Sequence, residues 1–152
     1  MTVSHAGPPL AAPTIDAALE RLRDNGLRVS AARRLVLAAL FAADQPIPAE
    51  RIAAGLDGMF PSSDLASVYR NLETLEGIGL VGHVHLGHGP GLYALAGSRE
   101  REYLVCESCY SLRALEPSEL DPVRELVRRE FGFGAAFTHF PIVGRCPDCE
   151  RI

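Results

Sequence analysis

Four cysteines constrain this 152-residue chain more than any other feature. They form two Cys-x-x-Cys pairs, Cys106/Cys109 and Cys146/Cys149, with the 36 residues 110–145 between them. Each pair turns two thiolates toward one side of a tight turn, and two such turns make a tetrahedral S4 set suited to Zn2+. Pro147 stiffens the second turn. The opening residues, "MTVSHAGPPLAAPT", lack a charged segment followed by an apolar one, so no export signal is expected and the thiols are placed in a reducing cytoplasm. There, paired thiols bind metal more often than they oxidise. One structural Zn2+ per chain is therefore the expectation, with disulfides or a redox dithiol as the competing readings. Metal binding of this kind supplies about 10–16 kcal/mol of apparent free energy.

With 47% hydrophobic and 22% charged residues, the composition is that of a folded soluble protein. No apolar run approaches the ~18 residues needed to cross a bilayer. The net charge is −4, and division at residue 98 does not concentrate it: 7 Arg face 9 acids before, and 8 face 10 after. A nucleic-acid partner would thus have to meet positive charge gathered on one face. No nucleophile–base pair, phosphate loop or paired catalytic carboxylates stand out, so neither an enzyme nor a small-molecule substrate is expected.

Residues 1–14 read as a flexible tail in which His5 is inert. Ile15, Leu19 and Leu22 recur at helical spacing up to "NG" at 25–26. Ser30 then caps a helix whose apolar stripe is Ala32, Leu35, Val36, Ala39 and Leu40. Pro48 opens a short helix to about Leu56. After "GMFPSS", Ser63 or Asp64 starts a further helix with Leu65, Val68, Leu72 and Leu75 inward, Ser67, Arg70 and Thr74 opposite, and Tyr69 on the flank. The alternation in "VGHVHLGHGPGLYALA" predicts a ribbon with strands near 81–86 and 91–95. Three helices and a ribbon is the order of a winged helix-turn-helix, with the helix at 64–76 offered to the major groove. The expected fold is α+β: a winged-helix DNA-binding domain over 15–96, a hinge at 97–102, and a zinc and dimerisation domain over 103–152. In that second part "YLVC" and "SLRAL" read as strands. A helix follows with Leu120, Val123, Leu126, Val127 and Phe131 inward, and "AAFTHFPIVG" forms a last strand. A region of this size has a small core, for which metal and dimerisation are the usual remedies.

The segments "LRVSAARRLVLAAL", "SVYRNLETLEGIGLV", the wing, "YLVCESC" and "HFPIVGRCPDC", in that order, resemble the ferric-uptake-regulator (Fur) family over residues 15–152. These are dimeric, metal-responsive bacterial repressors. The resemblance implies structural zinc on Cys106, Cys109, Cys146 and Cys149, a homodimer, and binding to a palindromic double-stranded operator. By position it implies DNA contacts from Tyr69 and Arg70 and from Arg33, with Arg28 nearby; Ser67 shares the outward face of its helix.

The family's hinge metal site has no counterpart. Where relatives carry a His-rich run, this chain has Arg99, Glu100, Arg101, Glu102 and Tyr103. Ala94 replaces the acid after the wing Tyr93, and Pro46-Ile47 replaces the helix-entry histidine. Arg cannot ligate a cation, and Tyr and Ala are poor substitutes for imidazole and carboxylate. Glu100 and Glu102 could join as carboxylate ligands, but pairing at the surface with Arg99 and Arg101 is the favoured expectation. The remaining candidates for a regulatory metal are His83, His85, His88 and His139. His83 and His85, two apart on a strand, emerge on one face. The nickel-responsive branch of the family is similar, using a wing His-x-His pair with the histidine of "HFP". Such a set suits Ni2+ or Zn2+, with Fe or Mn as further options, and would couple metal occupancy to the arrangement of wing and dimerisation domain. Other readings stay open: wing histidines that meet phosphate, metal-independent or peroxide-sensing repression, and a thiol redox switch.

Overall fold

The computed structural model describes residues 12–85, 89–96, 102–116, 118–137 and 141–151. Its described residues fall into two compact units. The first runs to His83 and resumes from Gly91 to Ala96; the second takes Val84 to Pro90 and everything from Glu102. The expected tail to residue 11 and hinge residues 97–101 lie outside the described residues. No described helix is long and apolar enough to cross a membrane.

The first unit is helical. Thr14 caps α1 (Ile15–Asp24), its hydroxyl accepting from the Ala17 N–H at 3.2 Å, and the chain leaves at Asn25-Gly26. Ser30 caps α2 (Ala31–Ala42) in the same way through the Arg33 N–H, also at 3.2 Å. The buried face of α2 is Val36, Leu37, Ala39 and Leu40, while Ala32 and Leu35 are only half-buried. Packing of α2 against both α1 and the later helix α5 (Leu65–Gly77) explains the difference, because a helix with two neighbours buries more than one stripe.

Ile47 and Pro48 form a short strand, β1 (Ile47–Pro48), which the helix-breaking "QPIP" did not disclose. It pairs antiparallel with the later strand β3 (Gly91–Leu95), Ile47 opposite Tyr93, and Pro48 is tolerated because β1 is an edge strand. After α3 (Ala49–Ala53), the turn α4 (Gly55–Gly58) has positive φ throughout, including Leu56 at 50° and Asp57 at 60°. Only glycine fits at its start, since a Cβ on Gly55 would lie 2.1 Å from the Phe60 carbonyl oxygen. Burial of Leu56 and the 2.5 Å Arg51–Asp57 ion pair hold this strained turn.

Asp64 caps α5 (Leu65–Gly77), accepting from the Ser67 N–H at 2.9 Å. Val68, Leu72 and Leu75 are buried as their spacing predicts, but Leu65 is exposed, lying in the first turn beyond the edge of the core. The strands β2 (Val81–His85) and β3 (Gly91–Leu95) complete a sheet of order β1-β3-β2. Leu22, Leu37, Ile52, Leu72, Leu75 and Leu80 form one continuous core with Ile47.

The second unit is a three-stranded sheet with two helices, giving an α+β chain. Strand β4 (Glu102–Cys106) lies between β5 (Leu112–Leu115), antiparallel, and β6 (Ile142–Gly144), parallel. Helix α6 (Asp121–Phe131) ends at Gly132, whose φ of 73° suits glycine, and α7 (Pro147–Glu150) closes the described chain. Two expectations are corrected here. None of the α6 residues is buried: Val123, Leu126 and Phe131 lie at the surface, and only Leu120, just before the helix, is inward. Glu102 is not a surface hinge residue either. As the first residue of β4 it is 3% exposed and paired with Arg124 of α6. Arg124 also donates to Asp121 at 2.9 Å and lies 5.7 Å from the Phe137 ring. A buried carboxylate needs such a partner, and an arginine one helix away could be brought to it only by the fold.

Removing one side of a buried ion pair leaves the other charge uncompensated, at a cost of about 3–5 kcal/mol. Arg124→Ala is therefore expected to lower the midpoint of chemical denaturation sharply. The exposed pair Arg129–Glu130 should give almost no change when Arg129 is replaced by Ala.

Candidate metal centre and nucleic-acid interface

The register of β4 against β6 sets Cys106 opposite Gly144, and the Glu107 N–H donates to the Gly144 carbonyl at 2.8 Å. Cys146, two residues after the end of β6, is thereby delivered beside the turn that follows β4. That turn closes with the Tyr110 N–H on the Cys106 carbonyl and Tyr110 at φ 59°. The ligand atoms of Cys106, Cys109, Cys146 and Cys149 all lie within 4.8 Å of one another. Cys109 Sγ and Cys146 Sγ are 3.8 Å apart, and all four thiols are free. Among the described residues this is the one group of three or more potential metal ligands.

The backbone has prepared the sulfurs unequally. Cys106 Sγ accepts N–H groups from Cys109 at 3.5 Å and Cys146 at 3.4 Å, which stabilises its thiolate and lowers its pKa to about 6. Ser111, 3.1 Å away, lowers that of Cys109. Cys149 answers in the other direction: next to Cys146 and the Cys106 thiolate it keeps its proton, with a pKa pushed up to about 12. A cation at the centre would reverse that balance by displacing the proton.

The histidine candidates divide. His88 and His139 lie outside the described residues. His83 and His85 are both half-buried on β2. His83 Nδ1 is 2.5 Å from Glu76 Oε1, near the end of α5, and its ring packs on Tyr93 with centroids 5.7 Å apart. Burial, and then the Glu76 charge, raise the Tyr93 pKa.

Of the five candidate DNA contacts, Arg70 is exposed on α5, and Ser67 is half-buried beside the Asp64 cap, its hydroxyl within 3.4 Å of the Asn71 amide nitrogen. Tyr69 is 37% exposed, but its hydroxyl donates to Glu50 Oε1 at 2.9 Å, and that bond raises its pKa. Arg28 is exposed, whereas Arg33 turns back to donate to the Arg28 carbonyl at 2.6 Å.

Residues 24–140 match the model of the ferric uptake regulator family. The chain belongs to the ferric uptake regulator family. It is 28% identical to the peroxide operon regulator of Bacillus subtilis, over 93% of this chain and 97% of that protein. With the peroxide-responsive repressor PerR of Staphylococcus saprophyticus it shares 26% identity, over 90% and 91%. Among solved structures, the ferric uptake regulator of Helicobacter pylori covers 90% of this chain and 94% of its own, with a TM-score of 0.71 at 20% identity. That of Pseudomonas aeruginosa, solved with manganese, covers 85% and 97% with a TM-score of 0.65 at 27% identity. The α+β architecture of this Fur-family chain, with a helical N-terminal region and C-terminal strands, is the fold these structures share, and this chain carries a four-cysteine cluster within it.

Sequence reasoning did not single out Glu76, Glu50 or Arg124. Each is an ordinary charged residue on a helix, and no spacing rule links Glu76 to His83 across the end of α5.

Because bound cysteines must be deprotonated, metal affinity at the four-sulfur centre is expected to fall as pH drops from about 8 to about 6, with protons released on binding. Calorimetry in buffers of different ionisation enthalpy measures both. In the reduced, metal-free protein Cys109, exposed and with a lowered pKa, should alkylate first at neutral pH, and metal should protect all four thiols.

Proposed function

We propose that this Fur-family protein is a homodimeric, metal-controlled transcriptional repressor that binds a palindromic double-stranded operator. The observation that carries the reading is the polarity of α5: Val68, Leu72 and Leu75 are buried while Arg70 and Tyr69 face outward. A helix held by its core on one side and bearing a guanidinium on the other suits the major groove. Arg28 and Arg33 join the contact as phosphate-binding cations, with Ser67 beside Arg70. The Arg33–Arg28 carbonyl bond is an exposed one, and Tyr69 can exchange its Glu50 contact for the backbone of DNA.

A structural Zn2+ on the four cysteines is the reading favoured by the all-sulfur, tetrahedral-sized donor set. The exposed Val123, Leu126 and Phe131 of α6, with Phe133 and Val143, form the apolar surface that a second copy of the chain would cover. A regulatory divalent cation, Ni2+ or Zn2+, is assigned to His83 and His85, with His88 and His139 completing the set on the sequence pattern. The fit rests on His83: an imidazole whose Nδ1 is engaged by a carboxylate is how metal-ligating histidines are commonly held.

The relatives favour a second reading. Both peroxide regulators named above cover at least nine-tenths of this chain; in that reading the regulatory centre answers to oxidation rather than to metal supply. Peroxide treatment that abolishes DNA binding at constant metal would select it.

Purified protein is expected to shift an inverted-repeat promoter probe, and Arg70→Ala should weaken the shift roughly tenfold or more, the worth of a good arginine contact. Stripping the regulatory metal, with structural zinc retained, should release the probe; undiminished binding would remove metal control. Leu126→Asp with Phe131→Asp should turn a dimer into a monomer in analytical ultracentrifugation.

A further inference from the structure

We infer that Glu76 is the positioning residue of the regulatory metal site: its carboxylate, on the helix proposed to read DNA, orients the His83 imidazole on the wing strand for a cation. The inference rests on the assignment of His83 as a ligand and adds to it a residue and a route of coupling. Three observations carry it. First, His83 Nδ1 and Glu76 Oε1 are 2.5 Å apart, a short hydrogen bond rather than a chance surface encounter. The carboxylate and the imidazole nitrogen are turned toward each other in that bond, so Glu76 acts on the ring. Second, the pair is shielded, the side chains of His83 and Glu76 being 11% and 16% exposed. In that setting a hydrogen bond orients more firmly than in water. Third, the ring is held on its other side by Tyr93 at 5.7 Å, so rotation about the side-chain bonds is restricted by β3 as well as by α5.

The chemistry follows from imidazole having two nitrogens. With Nδ1–H donated to the carboxylate, the tautomer is set and Nε2 is the nitrogen that meets a cation; the carboxylate also raises the basicity of that nitrogen. Glu76 belongs to the last turn of α5, directly after the buried Leu75 and six residues after Arg70, so a cation pulling on His83 pulls through one hydrogen bond on the helix that carries Arg70. Metal and DNA would then be linked inside one unit, each favouring the same placement of α5, and reciprocally so.

The test uses the full-length dimer with its cysteine-bound zinc in place. Ni2+ or Zn2+ is titrated against a competing chelator into wild type, Glu76→Ala, Glu76→Gln and His83→Ala, with thermal unfolding of each metal-free variant alongside. Glu76→Ala is expected to weaken the second equivalent of metal by about 10–100-fold, the usual effect of losing such a partner. Glu76→Gln keeps an acceptor for Nδ1–H and should recover part of that loss. His83→Ala should abolish the second equivalent. If Glu76→Ala lowers the unfolding temperature but leaves metal affinity at the wild-type value, the pair is structural and the inference is overturned while the site stands. If wild type takes up no second equivalent, or His83→Ala still does, the metal assignment itself fails and the inference with it.

Discussion

The second unit depends on four sulfur atoms converging at one end of its sheet. Its buried apolar residues from Glu102 onward are few: Tyr103, Val105, Cys106, Leu115 and Leu120 among those described. Helix α6 contributes none. An interior of that size offsets only part of the chain entropy lost on folding. A metal bound by Cys106, Cys109, Cys146 and Cys149 joins the end of β4 to the chain beyond β6, and the binding free energy becomes folding free energy. Around this centre two polar demands are met locally. Cys106 is served by backbone N–H groups, and Glu102 at the other end of β4 is served by Arg124.

The first unit is built on the opposite principle. Its core runs continuously from α1 through α2, α3 and α5 to the start of β2, and it fixes which face of α5 turns outward. That division of labour suits a regulator of this family. In the proposed reading the DNA-reading surface would stay formed, and control would act on its placement rather than on its existence. Glu76 and His83 join α5 to the wing strand by a hydrogen bond.

Much of this was legible in the sequence. The caps Ser30 and Asp64 are found where their side chains predict, because an N-cap is a local matter between one side chain and the N–H three residues on. Val68, Leu72 and Leu75 face inward because one helix face is one stripe. The stripe failed where helices meet more than one neighbour or none. Leu37 is buried because α2 has two partners, Leu65 is exposed because the core stops short of it, and α6 is exposed because nothing within its own unit covers it. Strand β1 escaped notice because a two-residue bridge to Tyr93 leaves no periodicity to read.

The sequence by itself determined the four-cysteine centre, the order of elements and the family, since spacing between ligands and between core positions is a property of the chain. Arg99, Arg101 and Ala94 also led to the expectation that the hinge site of relatives is not built here. Only the tertiary structure decided which charges meet. Glu102 with Arg124, Tyr69 with Glu50 and His83 with Glu76 are pairs whose members lie on different elements. A charged residue in sequence carries no mark of its partner, because burial and approach depend on how elements pack, and at such distances the fold alone sets the geometry.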